Sequence, residues 1–84
     1  MLIARFETKA AEQIRQTKNA KYIKKVLKLV EDACEHPYTG LGKPEALKHE
    51  LQGFWSRRID SKNRIIYRVA EPNLIIISCI GHYE

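Results

Sequence analysis

Between Asn19 and Pro37, apolar residues recur at Tyr22, Ile23, Val26, Leu27, Val30, Ala33 and Cys34. That spacing predicts an amphipathic helix of about four turns, which Pro37 terminates. Upstream, Leu-Ile-Ala-Arg-Phe alternates loosely and reads as a short strand. Thr8 is placed to cap a weaker helix running to about Thr17, with Ala11 and Ile14 inward. Little more than Lys18-Asn19 joins the two helices, so they form a hairpin. Residues 38–44, Tyr-Thr-Gly-Leu-Gly-Lys-Pro, read as a loop. Pro44 suits the first position of a short helix over Glu-Ala-Leu-Lys-His-Glu-Leu, ending at Gly53. Strand-like runs follow at 54–59, 64–69 and 74–80, separated by polar turns at 60–63 and 71–73. Turns this short imply an antiparallel meander. The last run, Leu-Ile-Ile-Ile-Ser-Cys-Ile, is the most apolar and is expected to be buried on both faces, hence central. The order is βααβββ. It predicts an α+β domain over residues 1–84, with a helical hairpin packed on one face of a small antiparallel sheet.

Length and composition narrow the class. At 84 residues with 44% hydrophobic and 30% charged side chains, the chain reads as one small domain, neither disordered tail nor membrane span. Cys34 and Cys79 are too few for a disulfide scaffold and sit in apolar runs, so they read as reduced core residues. The N-terminus lacks a basic segment followed by a long apolar one, which predicts no signal peptide and a cytoplasmic location.

The net charge of +5 points to an acidic partner, and its distribution sharpens this. Residues 1–30 carry eight Lys/Arg against two acids, and residues 43–68 carry seven against three. In the long helix, Lys21, Lys24, Lys25 and Lys28 precede Glu31, Asp32 and Glu35. The helix dipole favours the reverse order. The lysines therefore read either as an ordinary solvated face or as a surface kept for an anionic partner.

The block Gly-Lys-Pro-Glu-Ala-Leu-Lys-His-Glu-Leu-Gln-Gly-Phe-Trp-Ser-Arg-Arg-Ile at 42–59, with Arg-Ile-Ile-Tyr-Arg-Val after it and His82-Tyr83 at the end, resembles the YoeB/Txe branch of the RelE toxin superfamily. The resemblance is dense over residues 37–83. It implies the toxin of a type II toxin–antitoxin pair, a ribosome-dependent endoribonuclease that cuts mRNA in the ribosomal A site. It also implies a cognate antitoxin of the YefM/Axe kind, allows a homodimer, and calls for no cofactor or membrane. Three positions depart from the family. Ala46 stands where Pro is usual, the first helix has Ala10, Ala11 and Ile14 in place of aromatics, and Glu84 follows the His-Tyr pair.

Metal-free RNA cleavage by the 2′-hydroxyl needs a base, an acid for the departing 5′-oxygen, and positive charge on the phosphorane. The resemblance implies Glu45 as base, His82 as acid and Arg64 as the charge, with base and acid interchangeable. It gives Tyr83 a supporting role in the site, and Lys48, His49 and Arg58 the task of holding phosphate or ordering the site. The residues alone also permit plainer roles. Glu45 after Pro44 would complement a helix N-terminus, His49 would be solvated, and the two arginines would be exposed sheet residues. If Ile59 pairs with Arg64 across a four-residue loop, Arg58 and Arg64 face opposite sides, and they converge only if a bulge or an odd loop shifts the register. Phe54 and Trp55 lie on opposite faces, so at least one is core and the other is free to stack on a base, and Tyr67 suits either role. His36, His49 and His82 lack metal-ligand spacing, apart from a weak Cys34/His36 pair. Gly-Leu-Gly-Lys at 40–43 falls short of a phosphate-binding loop. Two rival functions stand beside this one. The first is a non-enzymatic, gyrase-binding toxin of the ParE kind on the same scaffold, which is not expected to need Glu45, Arg64 and His82. The second is a basic RNA- or DNA-binding module without catalysis, which composition alone would favour.

Overall fold

Asn19 starts the longest helix, its side chain accepting a hydrogen bond from Tyr22 N–H at 3.1 Å. The computed structural model describes residues 1–81. Along it run β1 (Ile3–Phe6), α1 (Thr8–Gln16), α2 (Ala20–Glu35), β2 (Glu45–Ala46), a 3₁₀ turn (His49–Leu51), β3 (Trp55–Arg58), β4 (Arg64–Ala70) and β5 (Asn73–Ser78). No helix among the described residues is long and apolar enough to cross a membrane.

The sheet order is β1-β5-β4-β3-β2. The predicted meander of β3, β4 and β5 is antiparallel, and β5 is interior, with Leu74, Ile75 and Ile76 all buried. The sheet is nonetheless mixed: β1 joins parallel to β5, because the helical hairpin returns the chain across one face before the meander begins. Two helices on a five-stranded sheet is the α+β architecture expected.

Three local expectations change. Thr8 is the first residue of α1 and Glu7 precedes it as N-cap, with no side-chain cap bond. In α2 the buried stripe is Val26, Leu29, Val30, Ala33 and Cys34. Leu29 falls within it, while Leu27, displaced by roughly 100° from its neighbours, is 49% exposed. The short helix after Pro44 does not form. Glu45 and Ala46 instead pair with Ser56 and Trp55 as an edge strand, and His49 adopts φ +59°, which keeps the next turn short. A helix of about seven residues is marginal by itself, whereas β3 offers an open ladder.

The helix-facing core joins the α2 stripe to Ile59, Ile65, Tyr67, Leu74, Ile76 and Cys79. Tyr67 is fully buried, so it is core and not a base-stacking surface. Trp55 is half-buried against the core and packs on Tyr38, with ring centroids 4.8 Å apart. Cys34 and Cys79 are free and buried, as expected. Burial pushes both thiols up, Cys79 to about 11, which leaves them poor nucleophiles at neutral pH.

Candidate active site

Side chains alternate across a strand, and directly paired residues share a face. In β3, Trp55 and Arg57 face the helices, so Ser56 and Arg58 face away. Glu45 pairs with Ser56, and Arg64 pairs with Arg58. Glu45, Arg58 and Arg64 therefore stand together on the helix-free face. The β3–β4 connection is an odd loop of residues 59–63, closed by Ile59 N–H to Asn63 O at 2.9 Å. That resolves the register question in favour of convergence. Ile59 leaves the ladder and enters the core at 1% exposed.

An open groove of about 320 Å³ is lined by Lys43, Pro44, Glu45, Arg58 and Arg64. Three cations surround one carboxylate, and none of the three is in an ion pair among the described residues. Such a groove suits a phosphodiester beside a proton acceptor. Glu45 lies on a strand, so it does not complement a helix N-terminus. Lys48 and His49 are exposed at the start of the 3₁₀ turn and do not line this groove. A larger groove of about 580 Å³ shares Lys43 and Arg58 with it and continues over Leu29, Leu41 and Ile59 to Lys25 and Lys28. Lys21 and Lys24 are likewise exposed on α2.

What aims the groove is a residue outside the expected site. Arg57 is fully buried and all five of its N–H groups are used. Nε donates to Tyr67 Oη at 3.0 Å. Nη1 donates to Asp32 Oδ2 at 2.6 Å and Leu41 O at 3.0 Å. Nη2 donates to His36 O and to Thr39 O at 2.7 Å. Tyr67 Oη donates to Pro37 O at 2.7 Å, and Asp32 Oδ2 also accepts from Leu41 N–H at 3.0 Å. The loop from His36 to Leu41 is thus wired to one guanidinium. The next residue, Gly42, accepts from Arg58 N–H at 2.7 Å. Its φ is +77°, and an added Cβ would lie 2.9 Å from Leu29 Cδ2 and 3.0 Å from Arg58 O, so only glycine fits. Lys43, Pro44 and Glu45 leave this anchored point for the groove. The signal in the sequence was a charge in the core phase of Trp55-x-Arg57-x-Ile59. Asp32, one of the acids set against the helix dipole, answers that charge.

At the other end of the groove, Arg64 N–H donates to Gly81 O at 2.8 Å. The expected His82 and Tyr83 follow Gly81 in the sequence and lie outside the described residues. Asp60 accepts from the backbone N–H of Lys62 and from Asn63, and these bonds hold its carboxyl below the usual range. Among the described residues no group of three or more His, Cys, Asp and Glu is placed to hold a metal ion.

Residues 6–83 match the family described as YoeB-like toxin of bacterial type II toxin-antitoxin system. The chain belongs to that family. It is 44% identical over 69 residues to Toxin YoeB of Synechocystis sp., covering 82% of this chain and 80% of that protein. Among solved structures it is similar to the YoeB/ParE toxin from Agrobacterium tumefaciens, with TM-score 0.92, 34% identity, and 98% and 100% of the two chains covered. It is also similar to YoeB in the YoeB–YefM complex from Staphylococcus aureus, with TM-score 0.88, 36% identity and 99% of both chains covered. The YoeB family match extends through the 42–59 block, which supplies Glu45 and Arg58, and through Arg64.

Proposed function

We propose that this YoeB-family toxin is a metal-independent endoribonuclease that cuts mRNA in the ribosomal A site. The observation that carries the reading is the odd β3–β4 loop, which puts Arg58 and Arg64 on one open face with Glu45. Glu45 takes the 2′-hydroxyl proton, Arg64 stabilises the phosphorane, and Arg58 and Lys43 hold the flanking phosphate. His82 protonates the departing 5′-oxygen, and Tyr83 supports it. Lys48 and His49, exposed beyond the groove, take the outer phosphates.

The groove grips phosphate but is shallow, with little to force a backbone into line. In-line geometry is worth about 7–11 kcal/mol of a barrier, and the ribosome is the rigid frame proposed to supply it. Mapping of RNA ends is expected to show cleavage only on translated message. The products are expected to carry a 2′,3′-cyclic phosphate, or its hydrolysis product, and a 5′-hydroxyl, with EDTA having no effect where ribosomes stay intact. Equal cleavage of free RNA, or 5′-phosphate products, would contradict the reading.

The Staphylococcus aureus relative is a complex of YoeB with YefM. For this chain a YefM-like antitoxin is proposed as partner, with an acidic and apolar segment that packs over the 45–64 region. The larger groove has matching chemistry, an apolar floor with a basic rim. Hydrogen exchange of the complex should show protection at Arg58 to Arg64. An antitoxin that neutralises the toxin yet leaves these residues unprotected would refute the placement.

A further inference from the structure

We propose that Asn63 is a positioning residue for the cleavage reaction: its carboxamide clasps Gly81, the residue from which His82 and Tyr83 continue, and so sets where they start relative to Arg64. The proposal rests on the endoribonuclease reading and adds a residue to it.

Beyond Ser78 the chain leaves the β5 ladder, yet its backbone stays tethered. Cys79 N–H donates to Gln13 Oε1 at 2.7 Å, and Cys79 O accepts from Tyr22 Oη at 2.6 Å. Ile80 O accepts from Ser78 Oγ at 3.2 Å. These contacts hold the segment to the helical hairpin and to itself. At Gly81 the partners change. Its N–H donates to Asn63 Oδ1 at 2.8 Å, and its carbonyl accepts from Arg64 N–H at 2.8 Å. Two adjacent residues, Asn63 at the end of the β3–β4 connection and Arg64 at the start of β4, thus grip both sides of the last described residue. Gly81 has φ +86°, and a Cβ there would touch nothing within 4 Å. Its requirement is one of chain direction, not of space.

The amide of Asn63 has its orientation imposed. Its Nδ2 donates to both oxygens of Asp60 at 3.1 Å, and Asp60 Oδ1 also accepts from the N–H groups of Lys62 and Asn63 at 2.8 Å. An ionised carboxylate only accepts and a backbone N–H only donates. The carboxamide oxygen must therefore face Gly81. A residue serving only the turn would need the Asp60 contacts alone. Asn63 also reaches across 18 residues to Gly81, which precedes the proposed acid in the sequence.

The test is single-turnover cleavage on programmed ribosomes, with ribosome affinity and thermal unfolding measured beside it, for N63A, N63D, the double variant D60N/N63D, and H82A. Misplacement by about 1 Å can cost about 10²-fold in rate, and N63A is expected to lose on that order with affinity unchanged. N63D keeps an acceptor for Gly81 but sets two carboxylates together, and is expected to be slow. D60N/N63D exchanges donor and acceptor within the pair and is expected to recover most of the rate. Full rate in N63A, a loss in affinity alone, or a folded double variant as slow as N63D would overturn the role of Asn63. A slow H82A beside a full-rate N63A overturns this inference only. A full-rate H82A overturns the underlying reading as well.

Discussion

Arg57→Leu is expected to cost about 3–5 kcal/mol of folding stability, although it puts an apolar residue into a core. The loss comes from what the guanidinium leaves behind. Asp32 keeps its charge, and the carbonyls of His36, Thr39 and Leu41 and the Tyr67 hydroxyl lose a donor. Arg57→Lys is not expected to rescue it, since one ammonium has three donors and no planar fork. Small domains have about 5–15 kcal/mol in total, so either variant should unfold at much lower denaturant. A pH series provides a second check. Hydrogen bonds from Arg57 and Leu41 hold the Asp32 carboxyl below its ordinary range. A depressed carboxyl contributes stability above its unfolded value of about 4, and that contribution fades as pH falls through the lower folded value. Wild type should lose stability in that acid window, and Arg57→Leu should show a flatter profile there. Denaturant midpoints across pH 2–7, about the range where carboxyls titrate, decide it. An Arg57→Leu variant as stable as wild type would show that the loop is held by other means.

Arg64→Ala is expected to slow cleavage about 100-fold or more while leaving ribosome affinity nearly unchanged. Its proposed charge acts on a phosphorane that exists only in the transition state. His82→Ala should behave the same way, because without an acid the 5′-alkoxide is a poor leaving group. Replacing Lys21, Lys24, Lys25 and Lys28 should do the opposite if they hold ribosomal RNA. Binding should weaken, its salt dependence should flatten, and the bound complex should cleave at the normal rate. Single-turnover rates on programmed ribosomes, with binding measured separately, distinguish the two classes. If Arg64→Ala and His82→Ala lost affinity alone, both would be RNA grips and the proposed catalytic set would be wrong.

Much of this was legible one element at a time. Periodicity marked α2, and alternation with short turns marked β3, β4 and β5. The apolar runs around Cys34 and Cys79 indicated their burial, and the 42–59 block with its distant His-Tyr pair pointed to the family. These signals are local, because a side chain's period within an element says which neighbours share its face. What local pattern lacks is the relation between elements. Whether Arg58 and Arg64 share a face depends on the parity of the loop between them, and one residue more in that loop than the four polar positions suggested reverses the answer. That Glu45 lies on a strand depended on the free edge of β3, which competes with a short helix only once the sheet exists. The parallel seat of β1 beside β5 joins segments about 70 residues apart, a pairing that neither end encodes alone. The burial of Arg57 is the clearest case. A lone arginine in core phase is unfavourable until Asp32, Tyr67 and the carbonyls of a folded-back loop surround it, and only tertiary structure assembles those acceptors in one place.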